Sequence, residues 1–236
     1  MILAVIPARS GSRGLPGKNL RTIHGVPMIA YTIRAALGAR RIDRTVVSTD
    51  DPTIASLARE LGAEAPFLRP DDLSRDTTPT LPVIDHAVRA LEAMGGLVSL
   101  VVTLQPTSPL RGSDLIDQAI DLLEARGARS AVAVASLGIP GSIVGVLREG
   151  RFHRLPGSSD GDLRRQAAAP AARITGSVYV TTRDLLAEGR LLDDAPAALL
   201  TEGPATLDVD DARDLRAVRR AERLQRSATA ARLESL

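Results

Sequence analysis

Short unbroken apolar runs alternate along the chain with longer segments in which apolar residues recur every three or four positions. The first kind reads as strands buried on both faces of a sheet, the second as helices laid against it. Ile2–Ile6 is the first strand. A helix follows with Pro27 at its first position, Ile29, Ile33, Ala36 and Leu37 as its stripe, and Gly38 at its end. Thr45–Thr49 predicts the second strand, and the next helix runs to about Leu61 and closes at Gly62. Either Asp50 or Asp51 can cap that helix ahead of Pro52. Asp50 also stands at the carboxyl end of a strand, where open α/β sheets bind ligands; the cap is the preferred reading.

Beyond it the spacing predicts a helix from about Leu81 to Met94, a strand over Leu97–Leu104, and a helix capped by Ser113 that runs to about Arg126. Strands over Ser130–Ala135 and Ile174–Val180, and a helix from Ala212 to about Arg226 with Leu215, Val218 and Leu224 inward, complete the series. The alternation predicts an α/β fold with a mostly parallel central sheet flanked by helices. Residues 136–172 break the pattern. Ile143–Leu147, a polar turn and Phe152 read as a hairpin, and a Gly/Ser/Asp-rich stretch and an Ala/Pro run follow. This region is either a small inserted arm or a partly disordered loop.

The loop after the first strand carries the chemistry. Pro7 ends ladder pairing, and Ala8-Arg9-Ser10-Gly11-Ser12-Arg13-Gly14 leads to Gly17-Lys18-Asn19. Glycines let backbone N–H groups approach a ligand, and Arg9, Arg13 and Lys18 add three cations, as binding a polyphosphate requires. The P-loop pattern fails, with Ser12 where its first glycine belongs and Asn19 where its hydroxyl belongs. The dinucleotide fingerprint fails on spacing.

A second cluster lies far downstream, at Leu207-Asp208-Val209-Asp210-Asp211. Read as a strand, it turns Asp208 and Asp210 to one face, with roots roughly 7 Å apart. Two carboxylates so placed can converge on one hard cation such as Mg²⁺; the commoner meaning of Asp-x-Asp is a solvated edge or a cap. The phosphate-type loop in the same chain favours the metal. Asp211 then caps the last helix.

Composition narrows the partners. Two Tyr, two Phe and no Trp leave an aliphatic core and no platform for stacking single-stranded nucleic acid. A net charge of +2, from 30 basic against 28 acidic residues, does not point to nucleic acid either. The absence of Cys excludes thiolate chemistry and fits a cytoplasmic protein. No apolar run approaches the ~20 residues of a spanning helix. The three histidines, His24, His86 and His153, have neither ligand spacing nor triad partners.

Pro7-Ala8-Arg9-Ser10-Gly11-Ser12-Arg13-Gly14-Leu15-Pro16-Gly17-Lys18-Asn19 resembles the signature loop of the acylneuraminate cytidylyltransferases, the CMP-sialic acid synthetase family. The resemblance implies a single Rossmann-like nucleotidyltransferase domain built from residues 1–135 and 173–226. It makes 136–172 an inserted dimerisation arm or loop and 227–236 a C-terminal tail. It places CTP phosphates on the loop, with Ala8, Arg9, Ser10, Gly11, Arg13, Lys18 and Asn19 as contacts. Arg69-Pro70 through Thr80 resembles a further family segment, which makes Arg69 and Thr80 nucleotide contacts. Gln105-Pro106-Thr107-Ser108-Pro109-Leu110-Arg111 resembles another, with Gln105 near the sugar acid and Arg111 holding the loop. Arg111 could equally pair with Asp114 or a loop carbonyl. Arg165-Gln166 and the strand containing Tyr179 resemble the family's sugar-acid segments, although Thr175 and Ser177 replace the usual asparagine and alanine. The family's Asp-x-Asp pair binds magnesium, here Asp208 and Asp210.

The implied reaction is transfer of CMP from CTP to a 2-keto sugar acid, sialic acid or a related nonulosonic acid, with release of pyrophosphate. Arg9, Lys18 and Asp208 are the expected catalytic residues, Mg²⁺ the cofactor and a homodimer the assembly; neither nucleic acid nor membrane is an expected partner. Two alternatives stand beside it. One is a cytidylyltransferase for another acid, 3-deoxy-octulosonate-like or a phosphonate, and the other a non-catalytic nucleotide-binding protein of the same fold.

Overall fold

The computed structural model describes residues 1–12, 14–154 and 169–234. In chain order its first elements are β1 (Ile2–Pro7), β2 (Thr22–Ile23), β3 (Val26–Pro27), α1 (Met28–Gly38), β4 (Arg44–Ser48), α2 (Pro52–Glu60) and α3 (Thr80–Ala93). Then come β5 (Leu100–Thr103), α4 (Ser113–Arg126), β6 (Ser130–Pro140), β7 (Gly145–Arg148) and β8 (Arg151–Arg154). The chain closes with β9 (Pro170–Thr182), α5 (Arg183–Ala187), β10 (Ala197–Leu200) and α6 (Ala212–Glu234).

One six-stranded sheet forms the centre, in the order β10-β6-β9-β5-β1-β4. Pairing is parallel for β1 with β4 and β5 and for β10 with β6, while β9 runs antiparallel to both of its neighbours. The sheet is thus mostly parallel, as the alternation of elements requires. Successive residues of β1 serve opposite faces. Ala4 and Ile6 pack with Ile29 and Ile33 of α1, Ile54 of α2 and Ile116 and Ile120 of α4. Leu3 and Val5 pack with Ile84, Val88 and Leu91 of α3.

A third, smaller cluster positions the site. Leu15 of the first loop, Leu110 of the loop after β5, Val209, and Leu215 and Val218 of α6 bury against one another. Among the described residues no helix is long and apolar enough to cross a membrane.

Several local expectations need correction. Pro27 pairs with Thr22 in a two-stranded ladder, so α1 opens at Met28. The N-cap of α4 is Gly112, and Ser113 is the first helical residue. Leu224 is exposed, and the buried position on that stretch of α6 is Glu222, which pairs with Arg226 and Tyr31. The last helix also continues past Arg226, to Glu234. β6 and β9 both extend beyond the sheet body, and the expected hairpin is present as β7 and β8.

Asp117 of α4 ties the chain leaving α1 to the layer. Its carboxylate accepts the N–H of Arg40 at 3.2 Å and of Arg41 at 3.0 Å, and it is 5% exposed. Burial disfavours the charge, but those two N–H groups, with the Arg40 guanidinium, outweigh it and hold the pKa below the ordinary carboxylate range. The group therefore stabilises the fold above its unfolded pKa, and that contribution disappears as pH falls through the lower folded value. Asp117→Asn is expected to lose about 1–3 kcal/mol near neutrality and less in acid. Urea unfolding at about pH 7 and about pH 3 reads this directly, and identical neutral midpoints would contradict it.

Candidate functional site

The carboxyl ends of β1, β4 and β5 lie side by side, so the loops after them converge at one end of the sheet. The first loop is tied down at its neck. The Ala8 N–H donates to the Ser48 carbonyl at 2.9 Å, and the Asn19 amide donates to the Arg9 carbonyl at 2.9 Å. Ser10 gives both its N–H (2.9 Å) and its hydroxyl (2.5 Å) to the Asp50 carboxylate. Asp50 is thus no cap; Asp51 alone fills that role, accepting the Thr53 N–H at 2.7 Å. The far end of the loop rests on the Asp-x-Asp segment, where a Cβ on Gly14 would overlap the Asp210 carbonyl oxygen.

Arg69 stands behind this loop, its guanidinium 3% exposed and 3.6 Å from Asp50. Burial, and to a lesser degree the charge of Arg9, lowers its pKa against the opposing pull of Asp50. On Asp50, burial is outweighed by the Ser10 bonds, with help from Arg69, and the carboxyl stays below its ordinary range. A charged pair therefore underlies the loop at neutral pH.

The Asp-x-Asp segment is not a sheet strand. It follows a short 3₁₀ turn over Gly203–Thr206 and is held by single bonds. Val209, fully buried, donates its N–H to the Thr107 carbonyl at 2.8 Å and accepts the Lys18 ammonium at 3.0 Å on its own carbonyl. Asp208 accepts the Ser108 hydroxyl at 3.2 Å, and Asp210 lies 3.4 Å from Lys18. Asp211 caps α6 by accepting the N–H of Arg213 and Asp214.

Between these parts lies a cleft of ≈ 300 Å³. Among the expected residues, Arg9, Gly11, Lys18, Asn19, Arg69, Thr80, Gln105, Asp208 and Asp210 line it together. Ala8 and Ser10 brace the loop instead. Tyr179 is half-buried on β9 outside the lining, its phenol pKa raised by burial and then by the charge of Asp208. Arg111 is also outside the lining. It is enclosed behind the loop, donates to the Gln105 carbonyl, and is pulled down to about 9 by burial, with Asp208 offsetting part of the loss. Thr175 turns its hydroxyl into the sheet, to the Ala133 carbonyl at 3.1 Å. Arg13, Arg165 and Gln166 lie outside the described residues.

Sequence reasoning missed the cleft residues Arg75, Asp76 and Thr78 and the bracing residue Ser108. Asp76 reaches Arg9 at 2.5 Å, so the hydroxyl-rich loop before α3 folds back over the first loop. The polar run from Asp71 to Thr80 was the available signal. The cleft lining combines the cations Arg9 and Lys18 with two carboxylates, Asp208 and Asp210. A polyphosphate can take the first pair while a hard cation on the second neutralises its far side.

Residues 3–145 match the cytidylyltransferase family. A CMP-N,N'-diacetyllegionaminic acid synthase of Legionella pneumophila is 34% identical over 212 residues, 89% of this chain and 90% of that protein. A pseudaminic acid cytidylyltransferase of Campylobacter jejuni is 37% identical over 119 residues, 50% of this chain and 51% of the relative. The solved structure of a CMP:2-keto-3-deoxy-manno-octonic acid synthetase complexed with CTP has the same fold, with a TM-score of 0.69 at 22% identity, covering 95% of this chain and 99% of that one.

Gly14 leaves no room for a Cβ against the Asp210 carbonyl, so a side chain there must displace the first loop or the Asp-x-Asp segment. Gly14→Ala is expected to weaken nucleotide binding roughly 100-fold, the scale of an ångström-sized misplacement, with an unchanged circular dichroism spectrum. Calorimetric titration with CTP tests it, and wild-type affinity in the variant would show that the contact is incidental.

Proposed function

The chain belongs to the cytidylyltransferase family and is a nucleotidyltransferase; on that premise we propose that it joins CMP from CTP to a 2-keto nonulosonic acid of the legionaminic, pseudaminic or sialic type. The observation that carries this reading is that Arg9, Lys18, Asp208 and Asp210 line one cleft together. A hydroxyl of the acceptor attacks the α-phosphorus of CTP. The bond to the bridging oxygen breaks, pyrophosphate leaves with its electrons, and the hydroxyl proton passes to solvent.

Arg9 and Lys18 hold the triphosphate and stabilise the charge that develops on the departing pyrophosphate. Each is already paired in the free protein, Arg9 with Asp76 and Lys18 with the Val209 carbonyl. The phosphates therefore replace existing partners, and the side chains start near their working positions. Arg69, buried and ion-paired with Asp50, and Thr80 at the start of α3 border the nucleotide side. Gln105 borders the acceptor side.

The donor set fits Mg²⁺. Asp208 and Asp210 supply hard oxygens to one cleft, and the described residues gather no group of three acidic or histidine ligands. Mg²⁺ commonly takes one or two carboxylates and completes its shell with phosphates and water. When bound there, the ion would neutralise phosphate charge and orient the triphosphate.

Assembly as a homodimer is part of the proposal. Leu137, Ile139, Ile143, Val146, Leu147, Phe152 and Ile174 are exposed on the extension formed by β6 to β9. So many apolar side chains on one projection suit burial against a second copy. Light scattering is expected to give twice the chain mass, and Leu147→Asp with Phe152→Asp to reduce it to one; a monomeric wild type would overturn this part.

The reaction is tested by pyrophosphate release from CTP with Mg²⁺ and each of the three acids, against a control without acceptor. Release is expected only with acceptor. Asp208→Ala should abolish it with the fold intact, and Lys18→Ala should raise the KM for CTP. Acceptor-dependent release at the wild-type rate by Asp208→Ala would remove that residue from the mechanism.

A further inference from the structure

We propose that Ser108 is the positioning residue for Asp208, dividing the carboxylate so that one oxygen is fixed by the protein and the other is left for the cation. Ser108 lies in the loop after β5 and is fully buried. Its hydroxyl has two acceptors within reach, the Asp208 carboxylate at 3.2 Å and the Thr175 carbonyl at 3.5 Å. A hydroxyl has one proton to give, and the shorter contact to a charged acceptor takes it. Asp208 Oδ1 is then occupied.

The surroundings are built for this bond. The Thr107 carbonyl accepts the Val209 N–H at 2.8 Å, so the residues preceding Ser108 and following Asp208 are joined by their main chains. Two adjacent ties leave the Asp208 side chain little freedom to swing. Gly176, at φ +78°, passes close by; a Cβ there would lie 3.2 Å from the Gln105 side-chain oxygen and 3.6 Å from the Ser108 hydroxyl. Arg111 fastens the same loop from behind through the Gln105 carbonyl. Groups that orient a metal-binding carboxylate commonly change metal affinity or activity by roughly 10- to 100-fold when removed.

This inference rests on the metal-assisted reading above, and its test separates the two. The dissociation constant of CTP is measured by calorimetry with saturating Mg²⁺ and again with a chelator, with no acceptor present. Wild type is expected to bind more tightly with Mg²⁺; if the two constants agree, the metal reading itself falls. Ser108→Ala is expected to lose roughly tenfold or more of that tightening while keeping the chelator value and the melting temperature. Ser108→Cys, which keeps the volume and a weak donor, should fall between. In an Asp208→Asn background Ser108→Ala should add nothing. Full tightening in Ser108→Ala, an equal loss with chelator, or a further loss in the Asp208→Asn background would each overturn the positioning role.

Discussion

Everything at the candidate site depends on how Val209 is held. Its side chain is buried beside Leu15 and Leu110, its N–H bonds to Thr107, and its carbonyl takes Lys18. One residue thus fastens the loop after β1, the loop after β5 and the entry to α6. The two acidic neighbours gain their positions from this anchor, Asp208 reaching the buried Ser108 hydroxyl and Asp210 lying exposed beside Lys18. The segment is no sheet strand, so hydrophobic burial and two hydrogen bonds do the work that a ladder does elsewhere.

The electrostatics follow the same economy. Every described cation of the first loop faces an oxygen before any ligand arrives, and the buried Arg69 leans on Asp50, which in turn braces Ser10. Isolated charges in such surroundings would be costly. The cleft avoids that cost by pairing Arg9 with Asp76 and Lys18 with the Val209 carbonyl, and in the proposed reaction phosphate would substitute for those oxygens. On the proposed reading, recognition would come from exchange of partners rather than from bare positive charge.

Local patterns in the chain were legible and distant partnerships were not. The order of strands and helices, the Gly- and Arg-bearing loop and the Asp-x-Asp pair are written in neighbouring residues. Asp50 was open to misreading because a cap needs only the next three residues, while its actual partner, Ser10, lies 40 positions away. Ser108 looked like one hydroxyl of a Pro-rich turn, and its partner lies 100 positions later. In α6, periodicity made Leu224 an inward residue, whereas the Tyr31 contact places Glu222 there instead. Periodicity gives a helix its face; only the surrounding elements decide which turn of that face is covered.

The bond from Lys18 to Val209 spans 191 residues of sequence. Contacts between such distant positions form only after nearly all the intervening chain is available, and they carry a large loop-closure penalty. During synthesis, the N-terminal strands and their helices can therefore pack long before the cleft has its second wall. A ribosome-bound chain would hold Arg9 with its Asp76 partner early, but Lys18 would wait for Val209 and Asp210 for most of the emergence. Competence arrives late, only once the segment around Val209 has joined the loop that emerged first.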